Sequence, residues 1–276
     1  MFDFAAALRP VLPPDAAAWL EQASATAEQL PLLLPQLARR IGRKPLVETE
    51  TRIEHEGLHF DLSAWRACDA AAAQLIARAQ PDSEQLIDLY RHGDMEEKAA
   101  VLRAVQLMPI GPATLELLGE VQRTNTALHY EAGALDSDLI VRALREGGDD
   151  SGFTRADFAN LVLKCAFLDM PAGRIFGVFD EATAELSAML RDFATEREAA
   201  GRSVWVDTYH FLGRALCPGA LARLLGGLEH GNDAVRHAAA LGLAEGGHGQ
   251  VADFAKERLG REPVPAIRGL LEQLAS

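Results

Sequence analysis

Apolar residues in this chain recur three and four positions apart, in runs dominated by alanine and leucine, and almost nowhere alternate with polar ones. That spacing constrains the fold more than any other feature. Valine, isoleucine, threonine and the aromatic residues are too sparse for an extensive sheet, so the chain is expected to be all-α. The runs are short and firmly punctuated. Helices are expected around Asp15–Gln29 and Leu32–Ile41, the second stopped by Gly42 and Pro45. Asp61 or Ser63 caps "AWRACDAAAAQLIARA", and Pro81 separates that helix from "SEQLIDLYRHG". Asp94 and Glu97 form a D-x-x-E capping box ahead of "KAAVLRAVQLM", and Pro109 and Pro112 frame the turn into "ATLELLGEVQRTN". A further helix starts at Asp136 or Ser137 and ends in "EGGDDSG"; Thr154 and Asp157 open the next.

The last quarter reads "PGALARLLGGLEHGNDAVRHAAALGLAEGG", a helix, a Gly-Asn-Asp turn and a second helix with small residues at close spacing. It resembles a HEAT repeat, with Asp233, Val235, Arg236, Ala238 and Ala239 where that repeat's second helix carries its aspartate, Val-Arg pair and double alanine. Helix pairs of this kind bury their apolar faces only by stacking. The expected architecture is therefore an irregular helical-repeat bundle, α-solenoid-like and HEAT-like over 218–276, within a single domain spanning 1–276.

Charge and cysteine usage exclude several function classes. A formal charge of −13 gives no basic footprint for nucleic acid and no polybasic patch for a membrane surface. No window offers about 18 uninterrupted apolar residues, and the first residues lack a signal peptide's basic and apolar regions, so a cytoplasmic location is expected. Cys68, Cys165 and Cys217 are far apart, with no C-x-x-C pair, and read as reduced thiols.

One motif tempts a metal assignment. "HEGLH" fits H-E-x-x-H, in which His55 and His59 would bind zinc one helical turn apart while Glu56 activates a water. The motif needs a helix, yet this copy carries Gly57 inside it and a helix cap just after it, so a loop or short extended piece is expected. No metal and no cofactor is expected. Phosphate loops, dinucleotide fingerprints and nucleophile elbows are absent.

A lysine in apolar surroundings is the other candidate. In "LVLKCAFLDMP", Phe158, Leu161, Val162, Cys165 and Leu168 make one helical face, and Leu163 and Phe167 extend apolar character to the other side. Lys164 should then lie in an interhelical seam beside Asn160, with a carboxylate partner. The next long helix offers Asp192, Glu196 and Arg197, followed by Arg202. Two readings stand: a structural ion-pair network among Lys164, Glu196 and Arg197, or a seam lining a pocket for an anionic or polar ligand.

The same stretch carries a family resemblance. Asn160, Lys164, Phe167, Asp192, Glu196, Arg197, Gly201 and Arg202 match "N-x-x-V-L-K-A-L-F" and "L-x-x-M-L-x-D-Y-A-x-E-R-W-A-A-G-R-x-V", the most recognisable block of the EboA family; "GRKPL" from Gly42, "RTN" ending at Asn125, and Glu131 are similar to further landmarks. Phe193 and Glu198 depart from it, standing where tyrosine and tryptophan are common. The resemblance implies a bacterial protein encoded beside a membrane prenyltransferase, a metal-dependent hydrolase and isomerase-like enzymes, in clusters that make or export secondary metabolites. It assigns no catalytic residue. The function expected is a non-catalytic scaffold or adaptor whose partners are other proteins or an intermediate of the same cluster. The alternative is an enzyme or small-molecule binder using Asn125, Glu131, Asn160, Lys164, Asp192, Glu196, Arg197 and Arg202.

Overall fold

The structure is a computed structural model that describes residues 2–23, 25–147 and 152–276. The described residues form sixteen α-helices and one two-stranded sheet, as the apolar spacing requires. They divide into two compact units. The first holds residues 1–161 together with Arg174–Phe176, and the second holds Val162–Gly173 and Gly177–Ser276.

The first unit runs α1 (Ala5–Leu8), α2 (Pro14–Gln22), α3 (Leu30–Arg40), β1 (Arg52–His55), β2 (Leu58–Asp61), α4 (Ala67–Ala79), α5 (Ser83–His92), α6 (Met95–Val105), α7 (Pro112–Arg123), α8 (Ala127–Ala134) and α9 (Leu139–Glu146). The helix α10 (Arg155–Phe167) begins in this unit and ends in the second. Within the first unit α6 packs against α4, α5 and α8, and α3 lies on α4. Ten consecutive residues of α4, Ala67 to Ile76, are buried. Alanine makes that possible, because a helix of small side chains admits neighbours on every side.

Local signals placed most helix starts correctly. Asp82 caps α5 by accepting from the Gln85 N–H, and Asp94 caps α6 by accepting from the Glu96 and Glu97 N–H groups at 2.8 and 2.9 Å. Thr154 and Asp157 exchange side-chain and backbone bonds at the start of α10. Three boundaries differ from expectation. The first long helix stops at Gln22, because Ala23 and Thr26 are extended. Asp61 caps only a 3-10 turn at Leu62–Ala64; Trp65 and Arg66 then stay extended, pairing with Pro45 and Leu46, and α4 starts at Ala67. Asp136 does not begin a helix either. Asp136 takes φ +62°, Ser137 links β2 to Ile175 through bridges to Phe60 and to Ile175, and α9 starts at Leu139 with Asp138 at its N-cap. Of the expected helix end "EGGDDSG", residues 148–151 lie outside the described residues.

The second unit continues with α11 (Ala184–Ala199), α12 (Asp207–Arg214), α13 (Ala220–Leu228), α14 (Asp233–Glu245), α15 (Ala252–Leu259) and α16 (Pro265–Ala275). Here α14 is the central helix, packed on α12, α13 and α16. Gly213 and Gly242 bring α12 and α14 into backbone contact: a Cβ built on Gly213 would lie 2.1 Å from the Gly242 carbonyl carbon. Gly201, at φ +67°, ends α11, and the Arg202 N–H donates back to the Arg197 carbonyl. No helix among the described residues is long and apolar enough to cross a membrane.

Candidate functional site

The H-E-x-x-H stretch is a β-hairpin. Glu56 and Gly57 form its two-residue turn, both with positive φ, which glycine takes without strain. The register pairs His55 with Leu58 and Glu54 with His59, so the two histidines stand on opposite faces of the ribbon. His55 packs edge-on against Phe2, whereas His59 Nδ1 lies 3.0 Å from Asp138 Oδ2. The helical pairing of two imidazoles and a glutamate is therefore not formed. No cluster of three or more His, Cys, Asp or Glu side chains suited to a metal occurs among the described residues.

His59 instead joins a buried polar core in the first unit. The Asp136 carboxylate accepts from Arg174 Nε at 2.8 Å and from a buried Arg103 nitrogen at 3.2 Å, and Arg174 also reaches Glu131 at 2.7 Å. Two residues on, Asp138 accepts from Arg142 Nε at 2.8 Å. Arg142 then donates to the carbonyls of Gln106 and Met108, and Gln106 to those of Ala132 and Leu135. These side-chain bonds hold the segment Asp136–Asp138 in the core, where its backbone is bonded to Asp61, Arg174, Phe176 and His59. Of the residues assigned from sequence, Glu131 and His59 are found here; Asn125 is exposed between α7 and α8.

Lys164 sits on α10 with Phe158, Leu161, Val162 and Cys165 buried on the other side. Phe167, expected to be buried, is 67% exposed: three residues after Lys164 and seven after Asn160, it shares their face of the helix. Partial burial lowers the Lys164 ammonium pKa, and no ion pair reaches it among the described residues. On α11, Asp192 pairs with Arg191 at 2.7 Å, Arg197 donates to the Ser203 carbonyl and lies over the Phe193 ring, and Glu196 is exposed, as is Arg202 beyond the helix end. The salt bridge expected between Lys164 and Glu196 is not formed.

Sequence reasoning passed over the surface beside α3. Two clefts, of about 290 and 420 Å³, adjoin each other there and share Leu34 and Glu97 as lining residues. The smaller is lined by Pro35, Leu37 and Ala38 of α3, with Arg39, Arg43, Cys68 and Ala100. The larger is lined by Pro31, Leu89, Glu28, Asp88 and His92. Arg43 and Arg66 both bind Glu96, and Arg66 also grips Asp69, which fixes the "GRKPL" loop against α4 and α6. Cys68, at the floor of the smaller cleft, is held as the neutral thiol: burial, and secondarily the Asp69 charge, pushes it up to about 12. The signal that could have marked this place was the unusual helix "LPLLLPQLARR", with prolines at 31 and 35, running into "GRKPL".

No curated protein and no solved structure matches the chain. A family model does, over residues 8–213, from the end of α1 through nearly all of α12, and it is described as metabolite traffic protein EboA. A match over that share of the sequence, containing the α10–α11 block, places the chain in the EboA family.

Proposed function

We propose that this protein is a non-catalytic helical scaffold or adaptor for metabolite handling, which holds an intermediate or docks the proteins that make or export it in a bacterial secondary-metabolite cluster. The observation that carries the reading is how the buried ionisable groups are used. Arg103, Asp136, Asp138 and Arg142 in the first unit, and Arg236, Arg258 and Glu262 in the second, are each consumed by an opposite charge or by backbone carbonyls. Groups used this way fix a fold; a catalytic acid, base or nucleophile is instead poised toward a site. Membership of a family described by metabolite traffic supports the same role, which on this reading draws on no cofactor. HEAT-like stacking of α13–α14 and α15–α16 is part of the proposal. It is supported by Arg236, which reaches Asp233 within its own helix and Glu262 beyond α15.

Native mass spectrometry of protein purified gently from its own host tests this. A second protein or a small, unmodified metabolite bound to the chain is expected. Turnover of such a metabolite by the purified chain alone would overturn the non-catalytic reading. A second reading, an enzyme or binder built around Lys164, Glu196 and Arg197, is favoured by the unpaired, partly desolvated ammonium. Under the scaffold reading, Lys164→Met leaves thermal stability equal or higher and partner binding intact. A folded Lys164→Met protein that has lost its small-molecule binding or turnover would transfer the function to that site.

A further inference from the structure

The two clefts beside α3 differ in their free charges. In the larger, Glu28, Asp88 and Glu97 make no ion pair with Lys or Arg among the described residues, and no Lys or Arg lines it. The nearby cations are turned elsewhere: Arg91 pairs with Glu116, and Lys98 lies over the Tyr90 ring. Pro35 has no N–H to give the Pro31 carbonyl, so the helix wall adds an acceptor on the side where both prolines meet the clefts. The smaller cleft has a lining of mixed charge and adds one uncommitted cation. Its Glu96 is already neutralised by Arg43 and Arg66, and its Asp94 caps α6, whereas Arg39 has no ion pair among the described residues. Leu34, buried between the two, supplies an apolar midpoint.

We propose that the paired clefts bind a small elongated zwitterion, an amine-bearing carboxylic acid, with its ammonium among Glu97, Asp88 and Glu28 and its carboxylate toward Arg39. Concave volumes of about 290 and 420 Å³ suit a small metabolite. The apolar floor takes the linking carbons, and the two ends read opposite charges, so a ligand carrying one charge satisfies half the site. Burial, together with the neighbouring Asp94, raises the Glu97 carboxyl pKa, and the positive charge of an incoming ammonium would oppose that shift. The assignment rests on the metabolite-handling reading and names the ligand class and the place.

The test is isothermal titration of the full chain at low salt with 4-aminobutanoate, 6-aminohexanoate and 8-aminooctanoate, against the singly charged hexylamine and hexanoate. One amino acid of the series is expected to bind about fivefold to tenfold tighter than either singly charged compound, as one additional solvent-exposed ion pair allows. Arg39→Gln should reduce it to the level of hexylamine, and Glu97→Gln or Asp88→Asn should shift it toward hexanoate, with thermal midpoints confirming that each variant is folded. Hexylamine binding as tightly as every zwitterion, variants without effect, or no binding by any of the series would each overturn the proposal. A small mass carried from the host at undiminished occupancy by both Arg39→Gln and Glu97→Gln proteins would overturn this site while leaving the metabolite reading standing.

Discussion

Glu262 shows how much one residue can hold. Its side chain is fully enclosed, accepting from Arg236 Nε at 2.9 Å, from Arg258 at 2.7 Å and from the Val264 N–H at 3.0 Å. Burial alone would raise its pKa; the bond from Arg236, the Val264 N–H and the nearby guanidinium charges outweigh that and hold it below the ordinary carboxylate value. A lowered folded pKa means stability that is present above the unfolded pKa, about 4.3, and is lost as pH falls through the folded value. Glu262→Ala leaves Arg258 and Arg236 without the carboxylate they share, Arg236 keeping Asp233, and should cost about 3 kcal/mol at neutral pH. Urea unfolding of both proteins from pH 7 down to pH 3 checks it, and the gap between them should narrow toward the acid end.

At the scale of elements, the close contact of α12 and α14 depends on glycine. A Cβ on Gly242 would meet the Tyr209 carbonyl at 2.7 Å and the His210 Cα at 3.1 Å, both backbone atoms that cannot rotate away. Gly226, on α13, would meet nothing within 4 Å. Gly242→Ala should therefore lose about 1–3 kcal/mol through overpacking, and Gly226→Ala should gain up to about 1 kcal/mol through helix propensity. Thermal midpoints of the two variants should move in opposite directions. The same distinction between local and distant causes explains what could be read in advance. Caps at Asp94 and Thr154, the stop at Gly201 and the helical spacing itself depend on residues a few positions away, and they were legible. Asp136 was expected to start a helix, yet it takes φ +62°, in the left-handed region, and stays outside α9 because its partners, Arg103 and Arg174, are 33 and 38 residues distant. Lys164 was legible as a charge on an apolar helix, but a helical wheel gives direction and not the identity of what stands opposite. Each of the clefts beside α3 needed three helices to be assembled before it existed.

For the whole molecule, three buried thiols serve as reporters: Cys68 in the first unit, Cys165 and Cys217 in the second. Native protein should react slowly with a thiol reagent at all three, because the reagent needs an accessible thiolate. In Glu262→Ala, Cys165 and Cys217 should label before Cys68, since the lost carboxylate belongs to the second unit; peptide mass mapping of briefly labelled protein measures the order.

The three-residue return of Arg174–Phe176 to the first unit bears on how such a chain could have evolved. Arg174 supplies the guanidinium that holds Asp136 and Glu131, the Phe176 N–H donates to the Ser137 carbonyl, and the Phe176 ring lies against Arg52. A gene fragment ending at residue 161 would omit all of these contacts, and one beginning there would carry them away from their partners. The two units are therefore not interchangeable cassettes. Recombination that brought a new second half would have to bring its own stitch back into the first, so the halves are expected to have been inherited together.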